Sequence, residues 1–135
     1  MYYSVASNDR LDVHHPLIRR YRGEFMDIQV MGQGGATVLS ARGRIDSMSA
    51  GHLGEALTRE ISAGHTTLVL DLAGVDYMSS AGLRELVNAL KKVKRVSGDL
   101  RLAQPSRRVR EVMEMAGLDT IFLIFDTSSE AVDSF

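Results

Sequence analysis

A chain of 135 residues, 44% hydrophobic and 24% charged, is long enough to bury one core as a single domain without metal or disulfide staples. Its formal charge of -1 gives no broad attraction to nucleic acid or an anionic membrane, and the lack of cysteine excludes disulfides, thiolate chemistry and sulfur-based zinc sites. No stretch approaches the ~18 consecutive apolar residues of a membrane span, and the N-terminus lacks an apolar signal core, so no membrane insertion and a cytoplasmic location are expected.

Residues 1–25 differ from the rest. The stretch NDRLDVHHPLIRRYRGEF, Asn8 to Phe25, mixes both charge signs around a proline with no sustained period, which predicts a flexible N-terminal extension ahead of a domain at 26–135. Its arginines, Arg19, Arg20 and Arg22, form a cluster suited to an acidic partner, although a solvated extension is the simpler reading. His14 and His15 are adjacent, without the spacing of a helical metal pair.

From Met26 the pattern becomes regular. MDIQVM and ATVLSARGRI flank GQGG, which predicts two strands joined by a glycine-rich turn; a phosphate-cradling loop would need a helix to follow, and here a strand follows. Leu53, Ala56, Leu57 and Ile61 mark a first helix, with Ser47 or Ser49 as cap and Gly64 at its end. The continuous apolar run TTLVLDL predicts a strand buried on both faces. Leu83, Leu86, Val87, Leu90 and Val93 then line one side of a second helix.

DLRLA reads as a fourth strand, and Pro105 suits the first turn of a third helix with the stripe Val109, Val112, Met113 and Ala116. TIFLIF reads as a fifth strand, and SSEAVDSF as a short last helix capped by Ser128 or Ser129. Alternating strands and helices imply right-handed crossovers, hence an α/β domain with a mixed, mostly parallel five-stranded sheet and about four helices.

In such a sheet the loops after the strands gather on one edge. Asp46 and Ser47 follow the second strand, and Ser79 and Ser80 follow the third, so two polar loops are expected to share one surface. A helix N-cap is the simplest role for at least one of the two serines. A hydrolase nucleophile at Ser80 would need glycines two residues to either side; Gly82 supplies one, but Met78 stands at the other, and neither His52 nor His65 has sequence support as a base. Asp46, Asp71 and Asp76 sit in scattered contexts that favour structural or solvent-facing roles over a magnesium site, so neither a metal nor a cofactor is expected.

Two long segments carry a resemblance. TLVLDLAGVDYMSSAGLRELV and GDLRLAQPSRRVREVMEMAGLDTIFLIFD, with GRID at Gly43 to Asp46, resemble the STAS domain of bacterial anti-sigma factor antagonists over Met26 to about Val132. The resemblance implies a non-enzymatic regulator that binds an anti-sigma factor when unphosphorylated. That partner is also a serine kinase, of the ATP-binding histidine-kinase-like fold, and a metal-dependent serine phosphatase reverses the modification.

The family's acceptor serine falls on Ser80, two residues before Gly82, with Ser79 as the alternative, and its partner-facing acidic residue falls on Asp46. Ser47, Gly82 and Arg84 complete the expected contact set. Some members carry aspartate at the Ser79 position and serine or threonine at the Ala81 position, while the SSAGLR form also occurs. STAS domains found in lipid-transport ABC complexes and stress-sensing assemblies give the alternative reading, a binding subunit without a switch.

Overall fold

The computed structural model describes the strand Tyr3–Val5 and residues 18–135; the His14–His15 pair and most of the expected arm lie outside the described residues. The strands are β1 (Tyr3–Val5), β2 (Arg19–Arg22), β3 (Met26–Gln33), β4 (Ala36–Ile45), β5 (Thr67–Met78), β6 (Asp99–Ala103) and β7 (Ile124–Phe125). The helices are α1 (Ala50–Ser62), α2 (Ser80–Arg95), α3 (Arg107–Met115) and α4 (Ser128–Asp133).

All seven strands belong to one sheet, in the spatial order in which they occur along the chain. β1 to β4 pair antiparallel; β4 to β7 pair parallel. The expected mixed α/β domain with four helices is therefore present, but with two more strands than the five expected and with parallel and antiparallel pairings in equal number. The added strands come from the N-terminal segment. Arg19–Arg22, expected in a loose arm, pairs with β3 over four residues and sends Tyr21 into the core. The stretch is too short and too charged for alternation to reveal it as a strand.

The sequential strand order dictates the layers. Right-handed crossovers that always step in the same direction place their helices on the same face. Accordingly, Leu53 and Leu57 of α1, Leu86 and Val93 of α2, and Val109 and Met113 of α3 pack into one cluster with Ile28, Leu39, Leu70 and Leu102 of the sheet. The opposite face has a much smaller cluster, where Ala131 and Val132 of α4 cover Val38, Val69 and Ala103. Over β2 and β3 that outer face carries no helix among the described residues.

Local signals explain the element ends. Gly34 and Gly35, at φ +56° and +84°, form the two-residue β3–β4 turn, where positive φ at both positions matches the twist of the hairpin. Ser106 caps α3 by accepting from the Val109 N–H at 3.1 Å. Thr127 caps α4, not Ser128 or Ser129, because it is the last extended residue before the helix and its hydroxyl reaches the Glu130 N–H.

The expected fifth strand at Thr120–Phe125 shrinks to Ile124–Phe125. A 3-10 turn at Leu118–Thr120 consumes its start, and Phe122 is buried alone between the exposed side chains of Ile121 and Leu123. In α3, Val109 and Met113 are buried, but Ala116 lies past the helix and is exposed.

The N-terminal strand is held by a polar contact as well as by Tyr21. Glu60 of α1 is 1% exposed and accepts hydrogen bonds from Tyr21 Oη at 2.6 Å and from Arg19 Nε at 3.1 Å. Arg19 Nη2 forms an ion pair with the same carboxylate, and His65 Nδ1 lies 2.7 Å from it. Burial pushes the Glu60 carboxyl up, but the hydrogen bonds from Arg19, Tyr21 and His65 outweigh it and hold the group below its ordinary value.

Candidate partner-binding site

β4 and β5 run parallel and end together, with Ile45 opposite Met78. The Ser79 N–H donates to the Ile45 carbonyl oxygen at 2.8 Å, so the loop at Asp46 and the start of α2 lie side by side. The two polar loops expected to share a surface do so.

The Asp46 loop is built by the aspartate itself. Its Oδ1 accepts from the Met48 N–H at 2.9 Å and the Ser49 N–H at 3.2 Å, a local turn typical of aspartate. Ser49 occupies the N-cap position of α1 without capping it. Its hydroxyl instead donates to the Arg44 carbonyl at 2.6 Å and accepts from the Asp46 N–H at 3.0 Å, which closes the loop from beneath. Ser47, the other expected cap, is exposed at the loop's tip. The Met48 N–H bond lowers the Asp46 carboxyl below its ordinary value against the opposing effect of desolvation, and the Ser49 bonds and the Arg44 charge add to the lowering. Asp46 thus presents a fixed negative charge.

The two serines divide into different roles. Ser79 is the half-buried N-cap of α2, in extended backbone (φ -91°, ψ 173°), with its Oγ accepting from the Gly82 N–H at 3.4 Å. Ser80 is the first residue of the helix, is exposed, and its hydroxyl has no hydrogen-bond partner among the described residues. A group placed on its oxygen would meet the positive end of the helix dipole and the free N–H groups of the first turn.

Gly82 contributes from below the surface. It is buried, and a Cβ at this position would come within 2.6 Å of Ile45 Cγ2 and 2.9 Å of Met78 Cγ. Its missing side chain lets α2 start close against the strand ends. Arg84 is exposed one turn along, with no ion pair among the described residues.

Sequence reasoning missed two neighbours. Arg44 stacks its guanidinium 4.5 Å from the Tyr77 ring centre and lies 3.8 Å from Asp46 Oδ2, while Met48 is 74% exposed beside the loop. Arg44 and Tyr77 are register partners across β4 and β5, a relation that becomes visible only once the strands are paired.

Of the other polar residues weighed, His52 Nε2 lies 3.0 Å from the Tyr21 carbonyl, and His65 faces Glu60. Asp71 accepts from the Ala73 N–H, from Gln104 Nε2 and from Ser128 Oγ at 2.9 Å, and so anchors α4 to the sheet. Asp76 stands exposed on β5 rather than in the loop after it, because the strand continues to Met78.

The fold is a mixed α/β sheet with three helices on one face and α4 on the other, and its strand ends carry the exposed Ser80 and the Asp46 loop on one edge. The STAS domain family matches residues 27–131, and the chain belongs to that family. The BtrV chain of Bordetella bronchiseptica is 34% identical over 101 residues, 75% of this chain and 87% of BtrV. The anti-sigma-F factor antagonist RsfB of Mycobacterium tuberculosis is 30% identical over 105 residues, 78% of this chain and 85% of RsfB. Among solved structures, an anti-sigma factor antagonist from Mycobacterium paratuberculosis superposes with a TM-score of 0.74 at 26% identity, covering 81% of this chain and 92% of that one. These relatives bear the names of regulators rather than enzymes.

Proposed function

We propose that the protein is an anti-sigma factor antagonist that binds an anti-sigma factor serine kinase through the surface around Asp46, Ser47, Ser80 and Arg84, and that phosphate on Ser80 releases this partner. The observation that carries the reading is the contrast between the serines: Ser79 caps α2, whereas the Ser80 hydroxyl is exposed at the first turn of α2 and has no partner among the described residues. Its similarity to RsfB supports the antagonist role.

The energetics favour a switch at the surface rather than in the fold. Phosphoserine adds about -1.5 to -2 charges, which at a helix N-terminus is stabilising by roughly 0.3 to 1 kcal/mol. The same charge placed beside Asp46, and against a partner shaped for the bare hydroxyl, costs several kcal/mol through like-charge contact and lost fit, of order a hundredfold or more in affinity. A metal-dependent serine phosphatase would restore the binding form, and the cytoplasm is the compartment in which such partners meet.

The test is phosphopeptide mapping of the protein isolated from its host under phosphate-preserving conditions. Phosphate on Ser80 is expected. Unmodified Ser80 and Ser79 across growth and stress conditions would overturn the switch and leave a constitutive binding subunit, for which co-purification with transporter or stress-complex subunits is the next measurement.

A further inference from the structure

A second surface lies on the outer face of the sheet, away from α1, α2 and α3; only Arg22, at its edge, also borders a concavity with Met48 and Ser49 of the Asp46 loop. Alternation along β2 turns Arg19 and Tyr21 toward α1 and leaves Arg20 and Arg22 exposed on the other side. Strand register then sets Arg22, Asp27 and Arg42 in one cross-strand row, and Arg20, Gln29 and Ser40 in the next. These rows border a shallow concavity of about 190 Å³ lined by Arg20, Arg22, Asp27, Gln29 and Arg42.

Arg20, Arg22 and Arg42 form no ion pair among the described residues. Asp27, the carboxylate within these rows, accepts the Gly23 N–H at 3.3 Å. A protein of net charge -1 therefore concentrates on one sheet face three guanidiniums that are unpaired among the described residues.

We propose that this face docks an acidic, extended peptide segment of a partner protein, with its carboxylates taken by Arg20, Arg22 and Arg42. Charge complementarity selects the occupant. Arg20 and Arg22 are alternate residues of one strand, spaced ~6.8 Å apart, which is also the spacing of alternate side chains on an extended peptide. Guanidinium forks match carboxylates in paired geometry. Both sides of β2 and β3 are already occupied by neighbouring strands, so the segment lies across the face and binds through side chains rather than adding a strand. Nucleic acid fits less well, because tight binding there needs many phosphate contacts, and here three cations surround a carboxylate.

The experiment uses the full chain and two fluorescein-labelled probes at low salt: a short peptide alternating glutamate and serine, and a short single-stranded oligonucleotide. Saturable binding of the peptide is expected, weakened roughly tenfold in the Arg20→Gln/Arg42→Gln double variant and unchanged in Ser80→Ala. Backbone amide shifts on peptide addition should cluster on Arg20, Gln29, Ser40 and Arg42. Both arginines are exposed, and an unchanged circular dichroism spectrum shows that the double variant folds. Absent or non-saturable peptide binding, binding untouched by the double substitution, shifts confined to the Ser80 loop, or tighter binding of the oligonucleotide would each overturn the proposal. None of these readouts depends on phosphorylation, so this surface and the serine switch succeed or fail separately.

Discussion

Ser79 and Ile45 are joined by a 2.8 Å main-chain hydrogen bond that ties the first turn of α2 to the end of β4. This bond makes one surface of two loops more than thirty residues apart in sequence, and it sets the scale of what substitutions there should do.

Because the Ser80 hydroxyl bonds to nothing among the described residues, Ser80→Ala should leave stability within about 0.5 kcal/mol of the parent, by urea denaturation. It should also bind the proposed anti-sigma factor partner without regulation. Ser80→Asp and Ser80→Glu should lower partner affinity by roughly tenfold or more in calorimetric titration. Unimpaired affinity in both acidic variants would count against a charge-operated switch.

Ser79→Ala removes the cap of α2 and, on the proposed assignment, leaves the acceptor in place. The expected cost is up to about 1 kcal/mol, at the lower end because the bond to the Gly82 N–H is long at 3.4 Å, and phosphate incorporation at Ser80 is expected to persist. Loss of phosphate incorporation in Ser79→Ala, with retention in Ser80→Ala, would reverse the assignment of the two serines.

Gly82→Ala places a methyl group against Ile45 and Met78. Overpacking of this kind costs about 1 to 3 kcal/mol, and relief requires α2 to shift away from the strand ends. Denaturation midpoint and partner affinity should therefore fall together, although Gly82 is buried; a stability loss with unchanged affinity would show that the position of α2 does not matter to binding.

Asp46→Asn keeps an oxygen able to accept the Met48 and Ser49 N–H bonds but removes the charge. The fold should survive with a small loss, and partner affinity should fall if the charge is recognised. Asp46→Ala should lose both the turn and the charge. Equal partner affinity in the parent and Asp46→Asn would reduce Asp46 to a loop-forming residue.

Glu60 predicts an acid sensitivity remote from the site. Its folded-state carboxyl titrates below its unfolded value, since the bonds from Arg19, Tyr21 and His65 outweigh the effect of burial. The resulting stability is fully present above the unfolded value, about 4.3, and is lost as pH falls through the folded one. Glu60→Gln should therefore flatten the pH dependence of stability below about pH 4.3. Glu60→Ala, which leaves Arg19 mostly buried and unpaired, should cost about 3 kcal/mol at neutral pH and loosen β2, read by amide exchange at Tyr21.

Much of this architecture is legible in the amino-acid order. Periods of 3.6 and 2 reveal α1, α2 and β3, the glycine pair marks the β3–β4 hairpin, and the two serines ahead of an amphipathic run mark the start of α2. What tertiary structure decided were relations between segments. Arg19–Arg22 becomes a strand because β3 supplies a paired edge and Glu60 a partner, neither of which is local information. Ser79 and Ser80 are chemically identical in sequence, and helix geometry alone makes one a cap and the other a free hydroxyl. The rows of arginine on the outer face likewise require strand register, which places side chains from β2 and β4 across one surface. Local sequence fixes periodicity and turn conformation through short-range sterics; which charges meet, and which are left without partners, depends on long-range pairing that the folded sheet alone specifies.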